Sequence, residues 1–286
     1  MLLRVRNLHH MSDSPLASFL LPQGFARPPV SALLHEARIV GEVGRYAVRS
    51  AAQRRPRAPQ VPAGPQLVAQ PDPVLLVPGF LAGDGTLTAM SLGLRRRGFH
   101  TYRAQILANV GCTNRAVTQL ERRLEDIATR REARVQVVGH SLGGMIARGL
   151  AARRPDLVSG IVTMGSPMMA PGAHHRFLSW GVDTLVRLSA VGVPGLMSQE
   201  CVAGACARRS FDESRQPLAP GVGFTAIYSH HDGIVDWRAC IDPAAVPVRV
   251  SASHCGMAVD PRVLDAVAAA LRPDASAAYE VGRQIA

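Results

Sequence analysis

The sequence predicts an α/β domain: a mostly parallel sheet with crossover helices on its faces. Three observations predict it. From residue 74 onward, short apolar runs alternate with stretches of helical period, the pattern of strands buried on both faces and joined by helices. A Gly-His-Ser-Leu-Gly-Gly turn at 139–144 separates one such run from one such helix. The 286 residues, 47% hydrophobic and 19% charged, suffice for one large core and leave no room for a second full domain. No segment repeats at a fixed period, which excludes solenoids and propellers.

Residues 1–73 read as an N-terminal helical extension followed by a Pro/Arg-rich linker from Gln53 to Pro73. Arg4 and Arg6 precede an apolar patch, Leu16 to Leu21, but Ser18 interrupts it and Pro22 and Gln23 follow, so it makes a poor secretory signal. No run of 18 apolar residues marks a membrane span. The expectation is a cytoplasmic chain. In residues 31–48 Leu33, Leu34, Ala37, Val40, Val43, Ala47 and Val48 recur at helical spacing among Arg and Glu. This amphipathic helix either packs its apolar side on the body or, through Arg38, Arg45 and Arg49, makes a peripheral membrane contact.

The main domain, 74–286, opens with the apolar strand PVLLVPGF at 73–80. A helix from Gly85 to Arg97 stops at Gly98, HTYRAQIL at 100–107 supplies a second strand, and 115–131 has an amphipathic helical period. Residues 133–167 then read strand, tight turn, helix, strand. Between that strand and the strand GFTAIYS at 223–229 lies an insertion, 168–222, rich in Met, Leu and Val. It reads either as an apolar cap or as a helix whose apolar side packs on the body. A late strand, VPVRVSAS at 246–253, precedes a final helix.

Charge and cysteines narrow the function. The net charge of +11 would ordinarily point to nucleic acid or anionic membranes. All 32 basic residues are arginine, however, and no basic stripe with interleaved aromatics occurs, so no nucleic-acid partner is expected. Cysteines 112, 201, 206, 240 and 255 form no CxxC pair and no His/Cys zinc spacing, so neither metal nor cofactor is expected. Pairing of Cys201 with Cys206 and of Cys240 with Cys255 stands open beside five reduced thiols.

The tight turn carries the chemistry. A nucleophilic serine on a strained strand-to-helix turn requires small residues two positions before and after it, and Gly139 and Gly143 flank Ser141 at those positions. The helix starting at Leu142 aims N–H groups and its positive dipole end at a developing oxyanion. Serine needs a histidine base, and the base a carboxylate. In the order Ser, acid, His, His254 is the base, since it follows the last predicted strand, whereas His174 and His175 fall in the region that reads as a cap and His230 and His231 would need a later acid. Asp232, directly after the strand 223–229, is the favoured acid; Asp236 is the alternative and is placed to cap a short helix.

With VPGF at 77–80, GHSLGG at 139–144, MGSP at 164–167, HDGIVD at 231–236 and SHCGM at 253–257, the segment 74–272 resembles bacterial α/β-hydrolases of the lipase/esterase type. The resemblance implies the α/β-hydrolase fold, with its cap inserted between the sixth strand and the acid strand. It also implies oxyanion N–H groups from Phe80 and Leu142. Pro78 stands where many lipases have His, which leaves Leu81 as an alternative to Phe80. The expected activity is hydrolysis of a small-molecule carboxylic ester, an acyl or lipid ester, through an acyl-enzyme. A thioesterase or acyltransferase would use the same triad, and a non-catalytic binding module the same scaffold.

Overall fold

Six parallel strands form one sheet in the order β2-β1-β3-β4-β5-β6 in the computed structural model, which describes residues 15–53 and 72–272. The strands are β1 (Val74–Val77), β2 (Thr101–Arg103), β3 (Val135–His140), β4 (Val158–Met164), β5 (Gly223–Ser229) and β6 (Val246–Val250). Eight α-helices accompany them among the described residues: α1 (Ile39–Gln53), α2 (Thr88–Arg95), α3 (Thr113–Arg131), α4 (Leu142–Arg153), α5 (Arg176–Ala190), α6 (Gln199–Val202), α7 (Ala205–Ser214) and α8 (Pro261–Ala270). The linker expected from Gln53 to Pro73 falls almost wholly on residues 54–71, and Arg4 and Arg6 on 1–14, outside the described residues.

Alternation along the strands sorts the core into two layers. Val74 and Leu76 of β1 join Val138, Val162 and Ile227 on one face, where Met90 and Leu94 of α2 and Val263, Leu264 and Val267 of α8 cover them. Leu75 and Val77 point to the other face with Val137 and Ile161, beneath Leu120, Leu124 and Ile127 of α3 and Ile146 and Leu150 of α4. Both faces of β1 are therefore buried. This is why its sequence is continuously apolar rather than alternating.

Several boundaries differ from expectation, each for a local reason. The run 100–107 yields only the three-residue β2. Gln105 takes φ 64° and Ile106 turns its carbonyl to the Asp84 N–H, which carries the chain away from the sheet. The helix expected from Gly85 begins as a 3₁₀ turn at Asp84–Leu87 before α2. The strand ahead of the insertion is β4, the fourth in chain order and not the sixth, because the described residues before Val74 contribute no strand. The insertion carries α5, α6 and α7.

The N-terminal helix has the expected period with the opposite face inward. Residues Val30–Arg38 form a 3₁₀ stretch that continues into α1. Val40 and Leu34 are each 76% exposed, and Val48 is 72% exposed, whereas Glu42 is fully buried. Arg45 of α1 pairs with Asp260, the N-cap of α8, at 2.8 Å, and Arg49 pairs with Asp265 at 2.7 Å. Polar anchoring thus takes the place of apolar packing on the body, the first of the two expected arrangements.

The two-layer core makes a direct test of stability. Leu94 is fully buried between α2 and α8, so we expect Leu94→Ala to lower the unfolding free energy by about 2–5 kcal/mol in urea titrations.

Candidate active site

The residues singled out from the sequence gather at the carboxyl edge of the sheet. Ser141 follows β3, Asp232 lies in the turn after β5, and His254 follows β6. In a parallel sheet every strand ends on the same edge, so three residues distant in sequence share one rim.

Ser141 sits at φ 53°, ψ −122°, a left-handed conformation that a side chain adopts only under strain. Its N–H is held by the Met164 carbonyl at the end of β4, 2.8 Å away. The flanking glycines make the turn feasible. A Cβ on Gly139 would stand 2.3 Å from the Gly143 carbonyl oxygen, and one on Gly143 would stand 2.2 Å from the Val77 oxygen. Gly144 lies as close to Ser166: a Cβ there would come within 2.0 Å of the Ser166 Oγ. The strand, the helix and β1 pack here at backbone distance.

His254 Nδ1 lies 2.7 Å from Asp232 Oδ2, with both side chains almost wholly buried. Asp232 Oδ1 accepts from the Ile234 and Val235 N–H groups at 2.9 and 2.7 Å, which fixes the carboxylate plane. A carboxylate only accepts, so the imidazole proton resides on Nδ1 and Nε2 is left as the basic nitrogen. Burial alone would push the ring down. The charge of Asp232 and its hydrogen bond outweigh that, Glu36 adds to them, and the ring titrates above its ordinary value. Gly165, at φ 57°, closes the gap between β4 and the pair; a Cβ on it would meet His254 Nδ1 at 3.0 Å and Asp232 Oδ2 at 3.1 Å. Asp236 instead caps the short turn Trp237–Cys240, accepting from the Arg238 N–H at 3.1 Å.

The other histidines have separate places. His140 Nε2 is 3.0 Å from the His254 carbonyl, and burial together with the neighbouring His254 ring holds its pKa down at about 3. It is neutral, and its Nε2–H donates to that carbonyl. His175 caps α5 through Nδ1, His230 packs on Trp237, and His231 packs edge-on to His35. His174 borders the cavity described below.

The loop after β1 passes directly beneath the serine. Gly79 is so near that a Cβ on it would lie 3.1 Å from the Ser141 Cβ. The Leu81 N–H is already donated to the Asn109 carbonyl at 3.0 Å, while the Phe80 N–H meets no acceptor among the described residues. Asn109, buried, also donates from Nδ2 to the Pro78 carbonyl at 2.9 Å, and its own N–H bonds the Ala82 carbonyl. Sequence reasoning missed Asn109, since a single asparagine in a loop carries no pattern.

A cavity of about 660 Å³ opens onto Ser141, Phe80 and Leu142. Its walls include Trp180 of α5, Phe211 of α7 and, unexpectedly, Phe19 and Leu20 from the N-terminal segment. The Phe19 and Phe211 rings pack in a tilted arrangement with centroids 5.0 Å apart, and the Leu20 carbonyl accepts from the Gly172 N–H. Residues 18–21 of the apolar patch read as a poor secretory signal therefore line the cavity.

No cysteine is paired: all five are free thiols. Cys112, Cys201 and Cys206 converge, with Cys112 and Cys206 sulfurs 3.5 Å apart. Among the described residues this is the one group of three or more with the spacing of metal ligands, and it stands at the N-cap of α3 and on α6 and α7. The partner facing Cys206 at 3.5 Å is Cys112 on the body, which sequence proximity alone did not indicate.

Comparison with known proteins agrees with this architecture. A family profile described as the alpha/beta hydrolase fold matches residues 128–188, which span the serine turn. No curated protein matches. The mature lipase BlEst2 of Bacillus licheniformis superposes with a TM-score of 0.57 at 13% identity, over 74% of this chain and 96% of that one. The metagenomic carboxyl esterase MGS0156 superposes with a TM-score of 0.56 at 14% identity, over 76% and 81% of the two chains.

The strain at Ser141 is measurable. Glycine adopts this backbone conformation freely, so we expect Ser141→Gly to be more stable than Ser141→Ala by about 1 kcal/mol in thermal unfolding, despite the usual entropic cost of glycine. Equal or reversed stabilities would deny the strain. With a serine on a strained strand-to-helix turn, an Asp–His pair on the same rim and a six-stranded parallel sheet beneath them, the chain has the α/β-hydrolase fold.

Proposed function

We propose that the protein is a serine hydrolase of carboxylic esters, with acyl or lipid esters as its substrates. The observation that carries this reading is the placement of Ser141 at the floor of an apolar cavity, on a turn whose rim also holds the hydrogen-bonded Asp232–His254 pair. The solved lipase and esterase of the same fold are in keeping with it.

In this reading His254 Nε2 takes the Ser141 proton as Oγ attacks the ester carbonyl. The carbonyl π electrons move to oxygen, and the Phe80 and Leu142 N–H groups receive the oxyanion. Phe80 is suited because its N–H is uncommitted, and Leu142 because the first N–H groups of a helix lack intrahelical acceptors. The C–O bond then breaks, and the leaving alcohol takes the proton from His254. A water, deprotonated by the same nitrogen, releases the acid and restores Ser141. The apolar walls formed by Phe19, Trp180 and Phe211 suit an acyl chain rather than a charged one.

Steady-state hydrolysis of p-nitrophenyl esters from acetate to palmitate tests the reading. We expect turnover with a preference for acyl chains beyond acetate, and loss of kcat by at least ~10³-fold in Ser141→Ala. His254 must be neutral to act as base, so rate falls as pH drops through its pKa. Because that pKa is raised, the acid limb of kcat/KM should lie above the ordinary histidine value of 6.5. Absence of turnover on every ester, or full activity in Ser141→Ala, would refute the proposal.

A further inference from the structure

Two glutamates of the N-terminal helix reach into the loops that carry His254 and Asp232. Glu36 Oε1 accepts from the backbone N–H groups of Gly233 at 3.0 Å and His254 at 2.9 Å, and Oε2 accepts from Cys255 at 3.0 Å. One carboxylate therefore joins the turn after Asp232 to the turn that begins at His254. Glu42, fully buried, accepts from the Ser253 N–H at 2.8 Å and from its hydroxyl at 2.6 Å. The Ser253 Oγ in turn accepts from the Gly256 N–H at 3.1 Å. The N–H groups of four consecutive residues, 253–256, are thus held by Glu42, by Glu36 or by the serine that Glu42 orients.

The glycines around the site are shaped to admit this helix. A Cβ on Gly233 would lie 2.3 Å from the Ala32 carbonyl oxygen, and one on Gly256 would lie 1.7 Å from Glu42 Oε2. Neither glycine has a positive φ. Space for the helix and its carboxylates, rather than backbone freedom, accounts for both.

We propose that Glu36 and Glu42 are positioning residues for the hydrolytic site, clamping the His254 turn to the Asp232 turn, so that the N-terminal helix is a working part of the site. The proposal rests on the reading of His254 as the base. Residues 251–254 lie beyond the end of β6 and lack ladder hydrogen bonds to fix them. Carboxylate acceptors form stronger hydrogen bonds to N–H than neutral ones, and a displacement of about 1 Å in a reacting group costs up to ~10²-fold in rate.

Electrostatics supplies a readout that a merely structural role would not move. The charged and titratable groups facing the His254 ring are Asp232 from the turn after β5, Glu36 from the N-terminal helix and neutral His140 from β3, while Glu42 meets this turn through Ser253. Asp232 and Glu36 both favour the imidazolium. Removing the Glu36 charge therefore lowers the His254 pKa and moves the acid limb of the pH profile to lower pH.

The test compares the full-length wild-type chain with Glu36→Gln, Glu36→Ala and Glu42→Gln. Arg49→Ala serves as the control, since Arg49 lies on the same helix but bonds the distant Asp265. The His254 ring is titrated by NMR, and p-nitrophenyl butyrate hydrolysis is followed across pH. For Glu36→Ala we expect kcat to fall by roughly 10–100-fold with little change in KM. Glu36→Gln, which keeps an acceptor oxygen but no charge, should recover part of that loss while its His254 pKa drops by about half a pH unit or more. Arg49→Ala should match the wild type in both readouts. Wild-type turnover and an unmoved His254 titration in Glu36→Gln would overturn the proposal, whether or not Glu36→Ala folds. If the wild type hydrolyses no ester, the ester reading fails on its own, and the NMR titration still decides the clamp.

Discussion

A serine held at φ 53°, ψ −122° is the constraint around which the rest of the chain is arranged. L-residues resist that conformation, at a cost of order 1–3 kcal/mol, and the surroundings enforce it from three sides. β4 holds the Ser141 N–H, β1 crosses Gly143 at backbone distance, and Ser166 fills the space beside Gly144. Those contacts require β1, β3 and β4 to lie adjacent and parallel, which the order β1-β3-β4 in the centre of the sheet provides. The two apolar layers keep those strands in place. Core packing, sheet order and the strained turn are successive consequences of one another.

The same logic extends to the loops on the rim, where no ladder hydrogen bonds are available. The loop after β1 is pinned by Asn109 through the Pro78 and Ala82 carbonyls and the Leu81 N–H. The turn at His254 is held by Glu36, Glu42 and the His140 ring. Burying Glu42 costs desolvation, which only complete pairing of its oxygens offsets. Both oxygens are paired, one with the Ser253 N–H and one with its hydroxyl. The helix that brings these glutamates is itself anchored by Arg45 on the buried Asp260, whose carboxyl is held below its usual range: burial opposes this, and bonds from Arg262 and Arg45 overcome it.

Fold and site differed in how far the sequence disclosed them. The central strands were plain because burial on both faces makes them continuously apolar, and GFTAIYS coincides with β5. Glycine spacing and chain order restrict the proposed triad, Ser141, Asp232 and His254, to few positions, and in the structure Asp232 bonds His254 while Asp236 closes a turn. For the N-terminal helix, the reading that packs its apolar side on the body failed for a physical reason. Periodicity identifies two faces and assumes that the apolar one is buried, yet here Leu34, Val40 and Val48 are exposed and Glu42 is not. A glutamate that binds backbone N–H groups looks, in sequence, like one that faces water. Gly233 and Gly256 were the available signal, since neither serves a left-handed turn, but the object they make room for lies about 200 residues away, as the Gly233–Glu36 separation of 197 shows.

If Ser141 is an activated nucleophile, it reacts covalently with a serine-directed phosphonate. The protein is incubated with a fluorophosphonate, digested, and its serine peptides are weighed by mass spectrometry. We expect one adduct per chain, on the peptide containing Ser141, with labelling slowed markedly in His254→Ala. No adduct, or adducts spread over other serines at comparable rates, would contradict it.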